Sequence, residues 1–150
     1  MTKRFLTIAL AVAATTIGLA QAQTARTEAP KSKIMALVQG TWIFTSTDGQ
    51  DMPAGAPEVS VTITDNKYVQ TAGGQVVERG TFKIDETKKP MTLDLTVIEG
   101  ESAGKSQVGV FEVTETTMKG KLSMPGETTV RPTDLNPSAG FFAFTATKKK

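Results

Sequence analysis

Met91-Thr92-Leu93-Asp94-Leu95-Thr96-Val97 alternates apolar and polar residues along its whole length. Strict alternation of this kind fits a strand with one face buried and the other wet. The same period recurs in Val59, Val61 and Ile63 against Ser60, Thr62 and Thr64, and in Trp42 and Phe44 against Thr41 and Thr45. Runs bounded by turn residues lie near 40–47, 58–64, 67–72, 75–84, 90–98, 106–113, 117–123 and 140–147, about eight in all. Asp65-Asn66, Gly73-Gly74, residues 86–90, residues 99–104, Glu115-Thr116 and Pro125-Gly126 supply the breaks. No useful length of helical period intervenes. The pattern predicts an all-β chain in which each strand pairs with the next, an antiparallel up-and-down meander of eight strands. Closure into a β-barrel removes the two edges that a flat or sandwiched sheet would leave exposed.

Strand alternation also sorts the connections. If the strands run up and down in turn, the long segments 47–57, 99–105 and 124–139 gather at one end, and the other end has only short loops. That describes a barrel with one decorated mouth and one tight floor.

Residues 1–32 carry none of this pattern. Thr2-Lys3-Arg4 is a short basic start, residues 5–19 are apolar and uncharged, and Ala20-Gln21-Ala22 has the small-x-small form of a signal peptidase site. We expect residues 1–22 to be a cleaved signal peptide, residues 23–32 a flexible linker containing Pro30, and residues 33–150 the barrel domain. The apolar run is shorter than the roughly 20 residues of a comfortable membrane span. We therefore expect export to the periplasm or the extracellular space, with no stable membrane insertion after cleavage. Within 33–38, Ile34, Leu37 and Val38 have helical spacing, enough for a short helical turn before Gly40.

Loss of Lys3 and Arg4 with the leader lowers the basic side chains from 17 to 15, level with the 15 acidic ones. A neutral domain has no clustered cations to attract phosphates, so no nucleic-acid partner is expected. A monomer is compatible with this charge, and the Lys148-Lys149-Lys150 run reads as a solvated chain end. The chain has no histidine and no cysteine. It cannot build a Ser-His-Asp triad, a thiolate nucleophile, a His-ligated haem or a Cys/His zinc site, and it has no disulfides. Glu99 with Glu101 and Glu112 with Glu115 are paired acids, but each pair flanks a turn where carboxylates are ordinarily solvated. We expect a protein that is not an enzyme and carries neither cofactor nor metal.

Gly40-Thr41-Trp42 follows the helical turn and opens the first strand, a placement that resembles the lipocalin superfamily. In that superfamily the glycine lets the chain bend into the strand, and the tryptophan packs over the barrel floor beneath a cation from the end of the last strand. Antiparallel first and last strands would bring Lys148 beside Trp42, where a cation-π contact can form. A closer resemblance spans residues 37–149. It is carried by GTFKIDETKKPMTLDL (80–95), EGESAGK (99–105), GVFEV (109–113) and RPTDL (131–135), in that order and spacing. These segments resemble an uncharacterised lipocalin-like domain family abundant in planctomycetes. The resemblance implies a lipocalin-like barrel and export, and brings no catalytic residues with it. MKGKLSMPG (118–126) departs from it, being more polar and richer in glycine than the family's seventh strand.

With Trp42 facing inward, parity places Phe44, Phe82, Phe142 and Phe144 inside, among long aliphatic side chains. A barrel of eight strands is either filled by its own side chains or holds one small ligand. Glu78 shares the face of Phe82 near the mouth, where it could bind a ligand's polar head. A blander reading has Glu78 hydrated at the rim or paired with Arg131 across the opening. Tyr68 and Gln107 are further candidates in strands of ambiguous parity, and Arg131, ahead of the last strand, is expected near the mouth. Two functions follow. The barrel binds a small, mostly apolar molecule through Phe44, Tyr68, Glu78, Phe82, Gln107, Arg131, Phe142 and Phe144, with Gly40, Trp42 and Lys148 structural. Alternatively it is a filled scaffold whose long, proline-containing mouth loops bind or inhibit another protein.

Overall fold

The structure is a computed structural model that describes residues 32–150. The expected signal peptide lies outside the described residues, as does the expected linker apart from Ser32. Ser32 caps a single short helix, α1 (Lys33–Val38), its side chain accepting a hydrogen bond from the Met35 amide at 3.0 Å. Gly40 follows with φ of 106°, a conformation that side chains disfavour, and turns the chain from the helix into β1 (Gly40–Thr47).

The remaining strands are β2 (Gln50–Asp51), β3 (Val59–Thr64), β4 (Lys67–Ala72), β5 (Gln75–Asp85), β6 (Met91–Gly100), β7 (Ser106–Val113), β8 (Thr117–Ser123) and β9 (Phe141–Lys148). From β3 onward every strand pairs antiparallel with the next. β1 pairs with both β3 and β9, which closes a barrel of eight strands with β2 as an extra ribbon on β1. The expected meander is what forms. β2 is the addition: Asp48 and Gly49 both take positive φ (50° and 78°), and the two-residue turn pairs Thr47 with Gln50. An Asp-Gly pair is a strong short hairpin signal, yet two residues of strand are too few to alternate visibly.

Strand direction puts the connections 48–58, 73–74, 101–105 and 124–140 at one end, the mouth, and α1 with the turns 65–66, 86–90 and 114–116 at the other, the floor. The longest connection does not stay at the mouth. Residues 124–140 fold back as a strap over the outer wall. There Arg131 bonds to β6 and β7, Asp134 pairs with Lys121 on β8 at 3.2 Å, and Pro132 is buried. The strap accounts for burial on the wrong side of the wall. Val110, Lys121 and Ser123 face outward by parity, yet they are 3%, 3% and 0% exposed. Lys121 also lies 5.1 Å from the centre of the Phe141 ring, and Ser123 Oγ donates to the Glu127 carbonyl. So residues 118–123 of MKGKLSMPG belong to a regular barrel strand, and of its polar residues Lys121 and Ser123 hold the strap while Lys119 is exposed. Its glycine has a separate cause, since a Cβ on Gly120 would lie 2.5 Å from Cε1 and Cζ of Phe144.

Candidate functional site: an apolar cavity with one polar wall

The floor closes by local chemistry. Trp42 is fully buried and its indole nitrogen donates to the Val38 carbonyl at 2.7 Å, tying β1 to the end of α1. Lys148 pairs across the ladder with Trp42, as expected from the antiparallel first and last strands. Its ammonium lies 5.2 Å from the centre of the indole ring and donates to the Leu37 carbonyl at 3.1 Å. Gln39 adds a strut from α1 to the β3–β4 turn, accepting from the Asp65 amide at 2.7 Å and donating to the Asp65 carbonyl at 3.1 Å. Gly40, Trp42 and Lys148 thus all lie at this floor.

Above this floor the interior is hollow. A cavity of about 320 Å³ runs from buried Val38, Phe111 and Met118 up to Met124 and Pro125 at the mouth. Exposure rises along the same path, from 1% at Val38 to 52% at Met124, so the cavity is sealed below and open above. The filled interior required by a solid scaffold is not found, because the rings that would fill it are held against the walls. Phe44 and Phe144 stack at 5.1 Å between centroids with a 13° interplanar angle, and Phe142 continues the row 6.0 Å from Phe144. Gly120 gives the Phe144 ring the room to lie back. These rings, on β1 and β9, make an aromatic wall; Ile84, Leu93 and Leu95, with the ring of Phe82, make a second apolar one on β5 and β6.

The polar residues of the lining flank that second wall on both sides. Tyr68 and Gln70 on β4, Glu78 on β5 and Gln107 on β7 all line the cavity. Among the described residues Glu78 is its only charged lining residue. Two bulges bracket Glu78, with Val77 as the extra residue against β4 and Ile98 as the extra residue of β6 against β5. Bulges re-aim side chains in this way where a sheet wall carries a site. Tyr68 is 5% exposed, and its hydroxyl donates to Glu78 Oε1 at 2.8 Å. Gly80 permits that reach: a Cβ there would collide with the Thr96 carbonyl and come within 2.6 Å of the Tyr68 ring. Burial first, and then the Glu78 hydrogen bond and charge, push the Tyr68 phenol well above the ordinary tyrosine range, so it stays a donor. Gln107 donates through Nε2 to the Ser123 carbonyl at 2.6 Å.

Of the side chains singled out from the sequence, Phe44, Tyr68, Glu78, Phe82, Gln107, Phe142 and Phe144 all face this cavity. Arg131 does not. It lies on the outer wall, where Nη2 pairs with Asp94 at 2.6 Å and Nη1 donates to the carbonyls of Gly109 and Leu93 at 2.9 and 3.3 Å. The physical reason is the path of the strap. It offers Arg131 a carboxylate and two carbonyls on the outside, a set that satisfies a guanidinium better than one carboxylate across an open mouth would. The Glu78–Arg131 pair is thereby excluded, and the partner of Glu78 is Tyr68. Gln70 was missed, although the parity that puts Tyr68 inside puts Gln70 inside as well. Val69, the apolar residue between them, left that parity open. Among the described residues no group of three acidic side chains is placed to hold a metal ion. No family model, curated protein or solved structure matches this chain.

Proposed function

We propose that this protein is an exported, lipocalin-like barrel that binds one small, mostly apolar molecule in its interior. The observation that carries the reading is the cavity itself. At about 320 Å³ it lies at the lower end of the range of about 300–1,000 Å³ typical of small-molecule sites. It is mostly apolar with a few convergent polar groups, closed at the floor and open at the mouth, and such an arrangement binds by burial and orients by hydrogen bonds. The Gly40-Thr41-Trp42 opening and the basic, apolar, small-x-small order of residues 2–22 support the lipocalin-like and exported parts of the reading. Binding is preferred to catalysis because the titratable groups of the lining among the described residues are one carboxylate and one phenol already bonded to each other, and the chain has no histidine or cysteine to add to them.

Native mass spectrometry of the protein purified from its own host, set beside the denatured mass of the same sample, tests this. The expected result is one extra mass that disappears on denaturation, over a polypeptide beginning at Gln23. Equal native and denatured masses would count against a resident ligand. A polypeptide mass retaining residues 1–22 would overturn cleavage and export by that route.

A further inference from the structure

The one charged group in the cavity lining among the described residues is a carboxylate, and this fixes the sign of what it can receive. That group is Glu78. Its one protein partner among the described residues is the Tyr68 hydroxyl, which spends its proton on Oε1 at 2.8 Å. Among the described residues no cation answers Glu78. Its neighbour Arg79 is turned to the outside and paired with Glu99 at 2.6 Å, and Arg131 is paired with Asp94 on the outer wall. Gln107 donates one amide hydrogen to the Ser123 carbonyl at 2.6 Å, and both it and Gln70 are neutral and add no charge to the lining. A carboxylate in a mostly apolar, partly enclosed cavity is costly until a cation or a strong donor meets it. Across the cavity, Phe44, Phe142 and Phe144 present flat apolar surface.

We infer that the ligand is an organic amine: an ammonium head that pairs with Glu78, on a compact apolar or aromatic body lying against the Phe44–Phe142–Phe144 wall. The inference rests on the binding reading above and narrows it. An acidic ligand of the same size, such as a fatty acid or an aryl carboxylate, would bring a second negative charge to Glu78 with no basic side chain in the lining to offset it.

Isothermal titration calorimetry with phenylbutylamine, phenylbutanol and phenylbutanoate, three probes with one body and different heads, separates the possibilities at neutral pH. The expected order is amine, then alcohol, then acid, with the amine about tenfold or more tighter than the acid, as a charge-assisted pair requires. In Glu78→Gln, whose amide oxygen can still accept from Tyr68, the amine should weaken by about tenfold while the alcohol changes little. Acid binding equal to or tighter than amine binding would overturn the inference and leave the binding reading standing. So would an amine affinity unchanged in a folded Glu78→Gln. If none of the three probes binds, the binding reading fails and the inference falls with it. Should Glu78→Gln fail to fold, the head-group order on the unaltered protein decides alone.

Discussion

The floor and the polar wall of this barrel use the same materials to opposite ends. At the floor the polar atoms meet protein partners: the Trp42 indole has the Val38 carbonyl, Lys148 has Leu37, and Gln39 has both the amide and the carbonyl of Asp65. At the wall the polar groups are half spent. Tyr68 is consumed by Glu78, but Glu78 meets no cation among the described residues and Gln107 has used one of its two amide hydrogens. Satisfied polar groups lock a fold, whereas acceptors left facing a cavity are what a ligand can complete. A barrel can afford the second only where the first already holds it shut.

Removing Trp42 is the hardest test of that contrast. Trp42→Ala empties the floor and strands the Val38 carbonyl, and should destabilise the protein by about 3–5 kcal/mol, or prevent folding at ordinary temperatures. Urea unfolding followed by far-ultraviolet circular dichroism reads this, since the variant loses the only tryptophan. A cost below about 1 kcal/mol would mean that the floor is not the structural end. A smaller loss is expected on the other side. Gly80→Ala places a Cβ against the Thr96 carbonyl and the Tyr68 ring, and should cost about 1–3 kcal/mol, with Tyr68 pushed off Glu78. Unchanged stability would show that the wall yields easily and that Gly80 does not position Tyr68.

The third prediction concerns protons and sharpens the contrast with little perturbation. Tyr68 is the only tyrosine, so its ionisation can be followed by tyrosinate absorbance without interference. Its folded pKa is raised from 10.0 by burial and then by Glu78. A raised acid favours the folded state fully below the unfolded value, and that contribution is lost as pH rises above 10, because the unfolded phenol surrenders its proton first. The folded protein should therefore show no tyrosinate step at pH 10, and the signal should appear together with alkaline unfolding. An ordinary midpoint near 10 in the folded state would indicate a phenol open to water and no bond to Glu78.

The strand order, the eight barrel strands and the sealed end were legible in the residues for a definite reason. A period of two leaves one arrangement that buries every apolar face, and turn residues such as Asp65-Asn66 and Gly73-Gly74 fix the hairpins locally. The Trp42–Lys148 contact followed from topology alone, since first and last strands must meet when a meander closes. Parity also placed the phenylalanines and Glu78 inside. Where it was ambiguous, as around Tyr68, Val69 and Gln70, tertiary contacts settled which face was which.

Sequence by itself determined the barrel and its inward face, because alternation and turn chemistry act over a few residues and need no knowledge of distant partners. Tertiary structure alone decided three things. It carried the 124–140 strap down the outer wall, taking Arg131 away from the mouth and burying Lys121 beneath it. It gave Glu78 the partner Tyr68, through a glycine at 80 whose missing side chain is what lets the ring pass. It also left the middle hollow, since whether five phenylalanines fill a barrel or line it depends on how the rings stack against one another and against Gly120. Packing of this kind is a property of distances between strands far apart in the chain, and no local pattern encodes it.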